Sequence, residues 1–151
     1  MTLAGGSSKL SDVPPAWNTL TEHVIGAAME VHRTLGPGML ERMYEAALCH
    51  ELKLRGISYA RQRSIAMSYK GVSLGEHILD LVIDDVLVVE IKAVDLVHDV
   101  HLHQLVSYMH SGQFPLGLLF KFNLPRLKDG IYRRILSKAA PIPHHMLEDP
   151  V

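Results

Sequence analysis

Charged side chains interrupt two consecutive apolar segments, and this pattern limits the possible folds more than any other feature of the sequence. Residues 76–83 and 86–93 are rich in Val, Ile and Leu, yet the first contains Asp80 and the second contains Glu90 and Lys92. Short segments that are apolar at nearly every position are typical of strands covered on both faces. Because an unpaired buried charge is costly, these side chains need partners close by.

The spacing of the two segments predicts a hairpin that brings the carboxylates together. If the hairpin is centred on Asp85, the numbers of paired residues sum to 170. Asp80 then lies directly opposite Glu90, and opposed side chains are only about 5 Å apart. This register needs a three-residue loop, residues 84–86, in which Asp85 can adopt a left-handed conformation. A two-residue loop would place Asp80 opposite Val89 and separate the carboxylates.

The predicted carboxylate pair has two interpretations. Two neighbouring carboxylates repel each other unless a cation lies between them, and Mg²⁺ or Mn²⁺ prefers such oxygen ligands. Lys92 shares a strand face with Glu90, since side chains alternate with period two, and it can orient a water or stabilise negative charge. Together these groups suit phosphodiester hydrolysis. The alternative is a structural Glu–Lys or Asp–Lys ion pair at a strand end.

The remaining patterns predict one α/β domain, residues 19–137, in which helices pack on a mixed sheet as a two- or three-layer sandwich. An apolar stripe of period 3.6 starts at Leu20, with Thr19 or Thr21 as a candidate cap, and ends at Gly36-Pro37-Gly38. We predict the other elements as helices 39–54 and 102–109, and strands 64–69, 76–83, 86–93, 116–122 and, at the edge, 131–136. Residues 1–18 are expected to form a flexible lead-in and residues 138–151 a tail.

Composition excludes several classes of protein. The formal net charge of −1 is not that of a protein that binds nucleic acid by bulk charge, so any such contact needs a local basic surface. The single Cys49 excludes an internal disulfide and thiolate-rich metal sites. No apolar run approaches the roughly 20 residues needed to cross a bilayer, and no secretory signal is visible. We therefore expect a cytoplasmic protein.

Several motifs together resemble a known family. Asp80 followed after nine residues by Glu90-Ile91-Lys92 resembles the core motif of the PD-(D/E)XK nuclease superfamily, and residues 38–44, Gly-Met-Leu-Glu-Arg-Met-Tyr, resemble the motif of its GxxExxY branch. The similarity continues in order through residues 101–108, 117–120 and 127–131 and covers roughly residues 20–136. Lys121 departs from the pattern, where a small polar residue is expected.

The resemblance implies a restriction-endonuclease-like αβββαβ core, a mixed central sheet flanked by helices. It implies that a divalent metal is held by Asp80, Glu90 and the Ile91 carbonyl, with Glu41 as a further candidate ligand. It also assigns catalytic positions to Asp80, Glu90, Lys92, Glu41 and Gln104. For Glu41 the helix dipole offers a plain structural explanation of an acidic residue in the first turn.

Weaker candidates come from the basic and histidine residues. Candidate phosphate contacts are Arg61, Arg63, His101, Lys121, Arg126 and Lys128, although ordinary surface charge explains such residues equally well. His98, His101 and His103 cluster at a helix start, where a zinc site would lack enough ligands and a solvated helix start is favoured.

The sequence therefore leads to three hypotheses about function. The first is a Mg²⁺- or Mn²⁺-dependent nuclease acting on DNA. The second is a non-catalytic nuclease-fold module that binds nucleic acid, a protein partner or a second copy of itself. The third is a hydrolase of small phosphate metabolites.

Overall fold

The computed structural model describes residues 13–136, and the predicted tail and most of the predicted lead-in lie outside them. The helices are α1 (Pro15–Leu35), α2 (Glu41–Leu54) and α3 (Asp99–Gly112). The strands are β1 (Tyr59–Tyr69), β2 (Val72–Ile83), β3 (Leu87–Lys92), β4 (Leu116–Lys121) and β5 (Ile131–Ile135), and a 3₁₀ turn, Leu127–Gly130, precedes β5.

The five strands form one mixed sheet in the order β1-β2-β3-β4-β5. Only β3 and β4 are parallel, and they are connected through α3, as a parallel pair requires a crossover. The other neighbouring strands pair antiparallel, and β5 lies at the edge as predicted. A mixed sheet flanked by helices confirms the predicted restriction-endonuclease-like architecture.

Separate hydrophobic cores cover the two faces of the sheet. The larger core lies on the face of α1 and α2 and includes Val24, Leu48, Leu81 and Phe120. The smaller core lies under α3, where the helix contributes its buried face. The central strand β3 is buried from Leu87 to Ile91 because both cores cover it, which explains its apolar composition.

The first half of β2 is not covered on both faces, contrary to the prediction. Ile78 is 53% exposed, and burial begins at Leu79. The reason is tertiary: the β1–β2 hairpin continues beyond the strand pairs that the helices cover, and its outer part is held mainly by pairing between its own strands.

The start of α1 also differs from the prediction. The helix begins at Pro15, where proline is favoured because its fixed φ suits the first turn. Thr19 and Thr21 are therefore not caps. Their hydroxyl groups donate to the carbonyls of Pro15 (3.1 Å) and Trp17 (2.8 Å), one turn earlier in the same helix. Within residues 13–136, no helix has the length and apolar character needed to cross a membrane.

Candidate active site

The register between β2 and β3 is the predicted one. Leu81 pairs with Val89, Val82 with Val88 and Ile83 with Leu87, so the paired numbers sum to 170. Asp84 and Asp85 in the connecting loop have φ values of +51° and +55°. Aspartate tolerates this left-handed conformation better than most residues, which is why the loop can be this tight.

Side-chain hydrogen bonds replace the backbone ladder at the next step of the hairpin. The backbone N–H of Asp80 donates to Glu90 Oε1 (3.3 Å), and the backbone N–H of Ile91 donates to Asp80 Oδ2 (2.8 Å). Each carboxyl group thus reaches the backbone of the opposite strand. The two side chains converge between β2 and β3, as the register predicts.

Burial and mutual repulsion perturb the ionisation of this pair. Glu90 is only 6% exposed, and burial together with the charge of Asp80 raises its pKa to about 8. Burial also raises the pKa of Asp80, while Lys92 acts in the opposite direction on both groups. Near neutral pH Glu90 therefore retains a proton, because burial and the charge of Asp80 both oppose its ionisation.

Helix α2 brings further acidic residues to the site. Burial raises the pKa of Glu41, and this carboxylate experiences the charges of Lys92 and Asp80 and a hydrogen bond from the Ala93 backbone. Glu41 therefore approaches the carboxylate pair, as expected from its motif. Glu45, which sequence reasoning left without a role, is also buried at 6% exposure, and its charge raises the pKa of Asp80.

Tyr44 anchors the loop that precedes α2. Its hydroxyl donates to the Gly36 carbonyl (2.6 Å) and accepts from the Met39 N–H (3.1 Å), and its ring stacks on Phe122 at 4.5 Å. The buried tyrosine thus fixes the loop between α1 and α2 to the start of α2. Glu41 lies one turn before Tyr44 on that anchored helix end.

Helix α3 borders the site from the other face of the sheet. Burial and the charge of Glu90 raise the pKa of Tyr108, while burial and Lys92 lower the pKa of His101. Gln104 is exposed and lies one helical turn from each of these residues, hence on the same side of α3. Its catalytic role remains a prediction. His77, a residue that the sequence did not single out, stacks on Tyr108 at 3.7 Å.

The histidine cluster is explained by helix capping. The His98 backbone N–H donates to His101 Nδ1 (3.1 Å) at the start of α3, which satisfies an otherwise unpaired amide. Within the described part of the chain, no group of three or more His, Cys, Asp or Glu side chains is arranged to hold a metal ion.

The donor set nevertheless fits a hydrated divalent cation. Asp80 and Glu90 each accept a backbone N–H on one oxygen, and the two carboxyl groups also hydrogen-bond to each other, so a cation would take the place of the proton that they share. Mg²⁺ keeps several waters and is usually bound through one or two carboxylates, so it does not need a closed cage of protein ligands. The raised pKa of Glu90 is the expected property of such a pair without its cation.

The candidate phosphate contacts lie in different environments. Arg61 Nε pairs with Glu45 (3.2 Å), Arg63 pairs with Asp85, and Lys121 donates to the Asp95 carbonyl. Arg126 and Lys128 are exposed at the 3₁₀ turn that precedes β5.

A mixed sheet with a carboxylate pair and a lysine at the β2–β3 hairpin is the architecture of a nuclease-type domain. The family model of the PD-(D/E)XK nuclease superfamily matches residues 18–135, more than half of the chain, and the protein belongs to this superfamily. Nucleases of this superfamily generally use divalent metals. The chain has no match among curated proteins or among solved structures.

Proposed function

We propose that this protein is a Mg²⁺- or Mn²⁺-dependent nuclease that hydrolyses phosphodiester bonds in DNA. The observation that carries the proposal is the convergence of the Asp80 and Glu90 carboxyl groups between β2 and β3, with Lys92 two residues further along. A structural Glu–Lys ion pair would hold Glu90 in its ionised form, whereas burial and the neighbouring Asp80 raise the pKa of Glu90 to about 8. A cytoplasmic location is part of the same proposal.

The proposed roles of the side chains are to hold the cation and to position the attacking water. Asp80, Glu90 and the Ile91 carbonyl would hold the cation, with Glu41 as a further candidate ligand. A bound divalent cation supplies a water of lowered pKa and offsets charge that develops on the phosphoryl oxygen. Lys92 positions the attacking water and stabilises developing negative charge.

Helix α3 and the 3₁₀ turn complete the proposed substrate contacts. Gln104 lies on the side of α3 that carries His101 and Tyr108, whose pKa values respond to Lys92 and Glu90. Arg126 and Lys128 are exposed and suited to hold phosphates. Arg61, Arg63 and Lys121 would have to exchange their present partners to do so.

We further propose that the chain belongs to the GxxExxY branch of the superfamily. The support is the spacing of Gly38, Glu41 and Tyr44 together with the contacts of Tyr44, which anchor the helix end that carries Glu41.

A cleavage assay tests the nuclease proposal. Plasmid DNA and short single- and double-stranded oligonucleotides are incubated with the parent protein and MgCl₂, MnCl₂ or EDTA. We compare Glu90→Gln with Glu76→Gln, which makes the same chemical change at an exposed carboxylate on β2. The parent and Glu76→Gln should cleave only with divalent ions, and Glu90→Gln should lose activity by about 100-fold or more.

Parallel assays of DNA binding and of small phosphate-ester hydrolysis distinguish the alternative functions. DNA binding by the parent without cleavage, under all metal conditions, would favour the non-catalytic module. Hydrolysis of small phosphate esters without cleavage of DNA would favour the metabolite hydrolase. If the parent cleaves no substrate and its melting temperature does not shift with divalent ions, a metal site at Asp80 and Glu90 is refuted.

A further inference from the structure

Strand β1 reverses its faces at Gln62. Residues two apart in a regular strand point to the same side of the sheet. Arg61, however, reaches Glu45 of α2 on one side, whereas Arg63 lies 5.2 Å from the ring centroid of Phe114, in the core under α3 on the other side. Gln62 lies between them and has a left-handed φ of +56°. The strand is therefore kinked at this residue.

Strand β2 shows the same reversal directly across from the kink. Leu81 packs in the core of α1 and α2, and Leu79 packs in the core under α3. The pairs Arg61–Leu81 and Arg63–Leu79 place the intervening Asp80 opposite Gln62. Asp80 thus lies at the point where β1 and β2 both reverse their faces. Its side chain extends toward β3, where it accepts a hydrogen bond from the Ile91 N–H.

Glu45 binds both residues at the kink. Its Oε1 accepts a hydrogen bond from Gln62 Nε2 (2.6 Å) and another from Arg61 Nε (3.2 Å). The carboxylate is buried, so these charge-assisted bonds are stronger than bonds at an exposed position. A left-handed conformation is unfavourable for a residue other than glycine, and it persists only where surrounding contacts hold it.

We propose that Glu45 is a positioning residue: through its hydrogen bonds to Gln62 and Arg61 it holds the kink in β1 that turns Asp80 toward Glu90 and the Ile91 amide. Glu45 acts through Gln62 and Arg61 and not on substrate. The consequence for cleavage rests on the nuclease function proposed above, but the effect on Asp80 does not.

Amide hydrogen exchange measured by NMR tests the positioning role without metal or substrate. The Ile91 N–H depends on Asp80, whereas the Phe122 N–H donates to the Lys92 carbonyl (3.0 Å) and serves as a reference within the same structure. In Glu45→Leu we expect exchange at Ile91 to become about tenfold faster relative to Phe122. General destabilisation would accelerate both amides and leave their ratio unchanged.

Two matched variants distinguish the loss of the Glu45 hydrogen bonds from the loss of its charge and from the loss of any ion pair on α2. Glu45→Gln keeps an acceptor oxygen for Gln62 and Arg61, so the exchange ratio should stay close to that of the parent. Glu51→Leu removes another carboxylate of α2, which pairs with Arg55 (3.0 Å) away from the kink, and it should leave the ratio unchanged. A Glu45→Gln variant that behaves like Glu45→Leu would overturn the hydrogen-bonding role.

Substitutions at Gln62 keep the inference testable if Glu45→Leu does not fold. Gln62→Gly loses the bond to Glu45 but adopts a positive φ readily, so the kink and the exchange ratio should be retained. Gln62→Ala loses the bond and disfavours that φ, so the ratio should rise about tenfold. An unchanged ratio in Gln62→Ala would refute the link between the kink and Asp80.

Mn²⁺ titration then connects the kink to the proposed function. Glu45→Leu and Gln62→Ala should bind Mn²⁺ at least about tenfold more weakly than the parent, whereas Gln62→Gly should bind like the parent. If the parent binds no Mn²⁺, the nuclease proposal fails while the exchange ratios still decide the positioning role. If the parent binds Mn²⁺ and the exchange ratios do not change, the positioning role fails alone.

Discussion

Replacement of Glu90 by glutamine should change the pH dependence of stability in the absence of metal. Glutamine has nearly the shape of a protonated glutamate and keeps an oxygen that can accept from the Asp80 N–H, as Glu90 does. It removes the ionisation that burial and Asp80 oppose. The two proteins should therefore have similar stability when Glu90 is protonated and should diverge when the folded parent has to ionise it.

The magnitude follows from the pKa of Glu90, which rises from the ordinary 4.5 to about 8 on folding. Since the folded value is the higher one, the stabilising contribution of the protonated group is fully present below pH 4.5 and is lost as pH rises through 8. Each pKa unit corresponds to about 1.4 kcal/mol, so the shift is worth at most on the order of 5 kcal/mol.

Urea denaturation at several pH values between 5 and 9, with EDTA present, measures the effect. We expect the free energy of unfolding of Glu90→Gln to exceed that of the parent by an amount that grows with pH. Saturating MgCl₂ should raise the stability of the parent more than that of Glu90→Gln, because the cation offsets the repulsion. A constant difference across this pH range would refute the claim that Glu90 is held protonated next to Asp80.

Two further predictions concern residues that support the site. Tyr44→Phe should lower the free energy of unfolding by about 1–3 kcal/mol, because the Gly36 carbonyl and the Met39 N–H lose their partner. Urea denaturation at pH 7 measures this loss, and a change within experimental error would contradict the prediction. Gly130→Ala should destabilise the protein by a similar amount, since the added Cβ would lie 2.5 Å from the Lys121 carbonyl oxygen. Gly26→Ala inside α1 should instead stabilise the protein by up to about 1 kcal/mol, because its Cβ meets only the end of the Arg55 side chain. Equal effects of the two glycine substitutions would show that the close approach at Gly130 is unimportant.

Local sequence rules were sufficient for the parts of the fold that depend on neighbouring residues. The register of β2 and β3 is the one predicted for a three-residue loop, and Asp84 and Asp85 adopt the positive φ values that such a loop needs. The end of α1 follows from Gly36 in the same way. The predicted start of β1 was wrong. The strand begins at Tyr59, earlier than predicted, because pairing with β2 extends a segment that has little strand pattern of its own.

The sequence by itself determined that Asp80 and Glu90 lie on consecutive strands and that Lys92 follows Glu90 on the same strand face; that the two carboxyl groups face each other depended on a three-residue loop, which the structure has. The tertiary structure decided how buried they are and which way Asp80 turns. Alternation along a strand is a local rule, and it cannot reveal that the faces of the sheet reverse at Gln62 and Asp80, where Glu45 of α2 accepts a hydrogen bond from Gln62. The pKa of Glu90 likewise depends on desolvation by segments distant in sequence, which exists only once the cores on both sides of the sheet have packed.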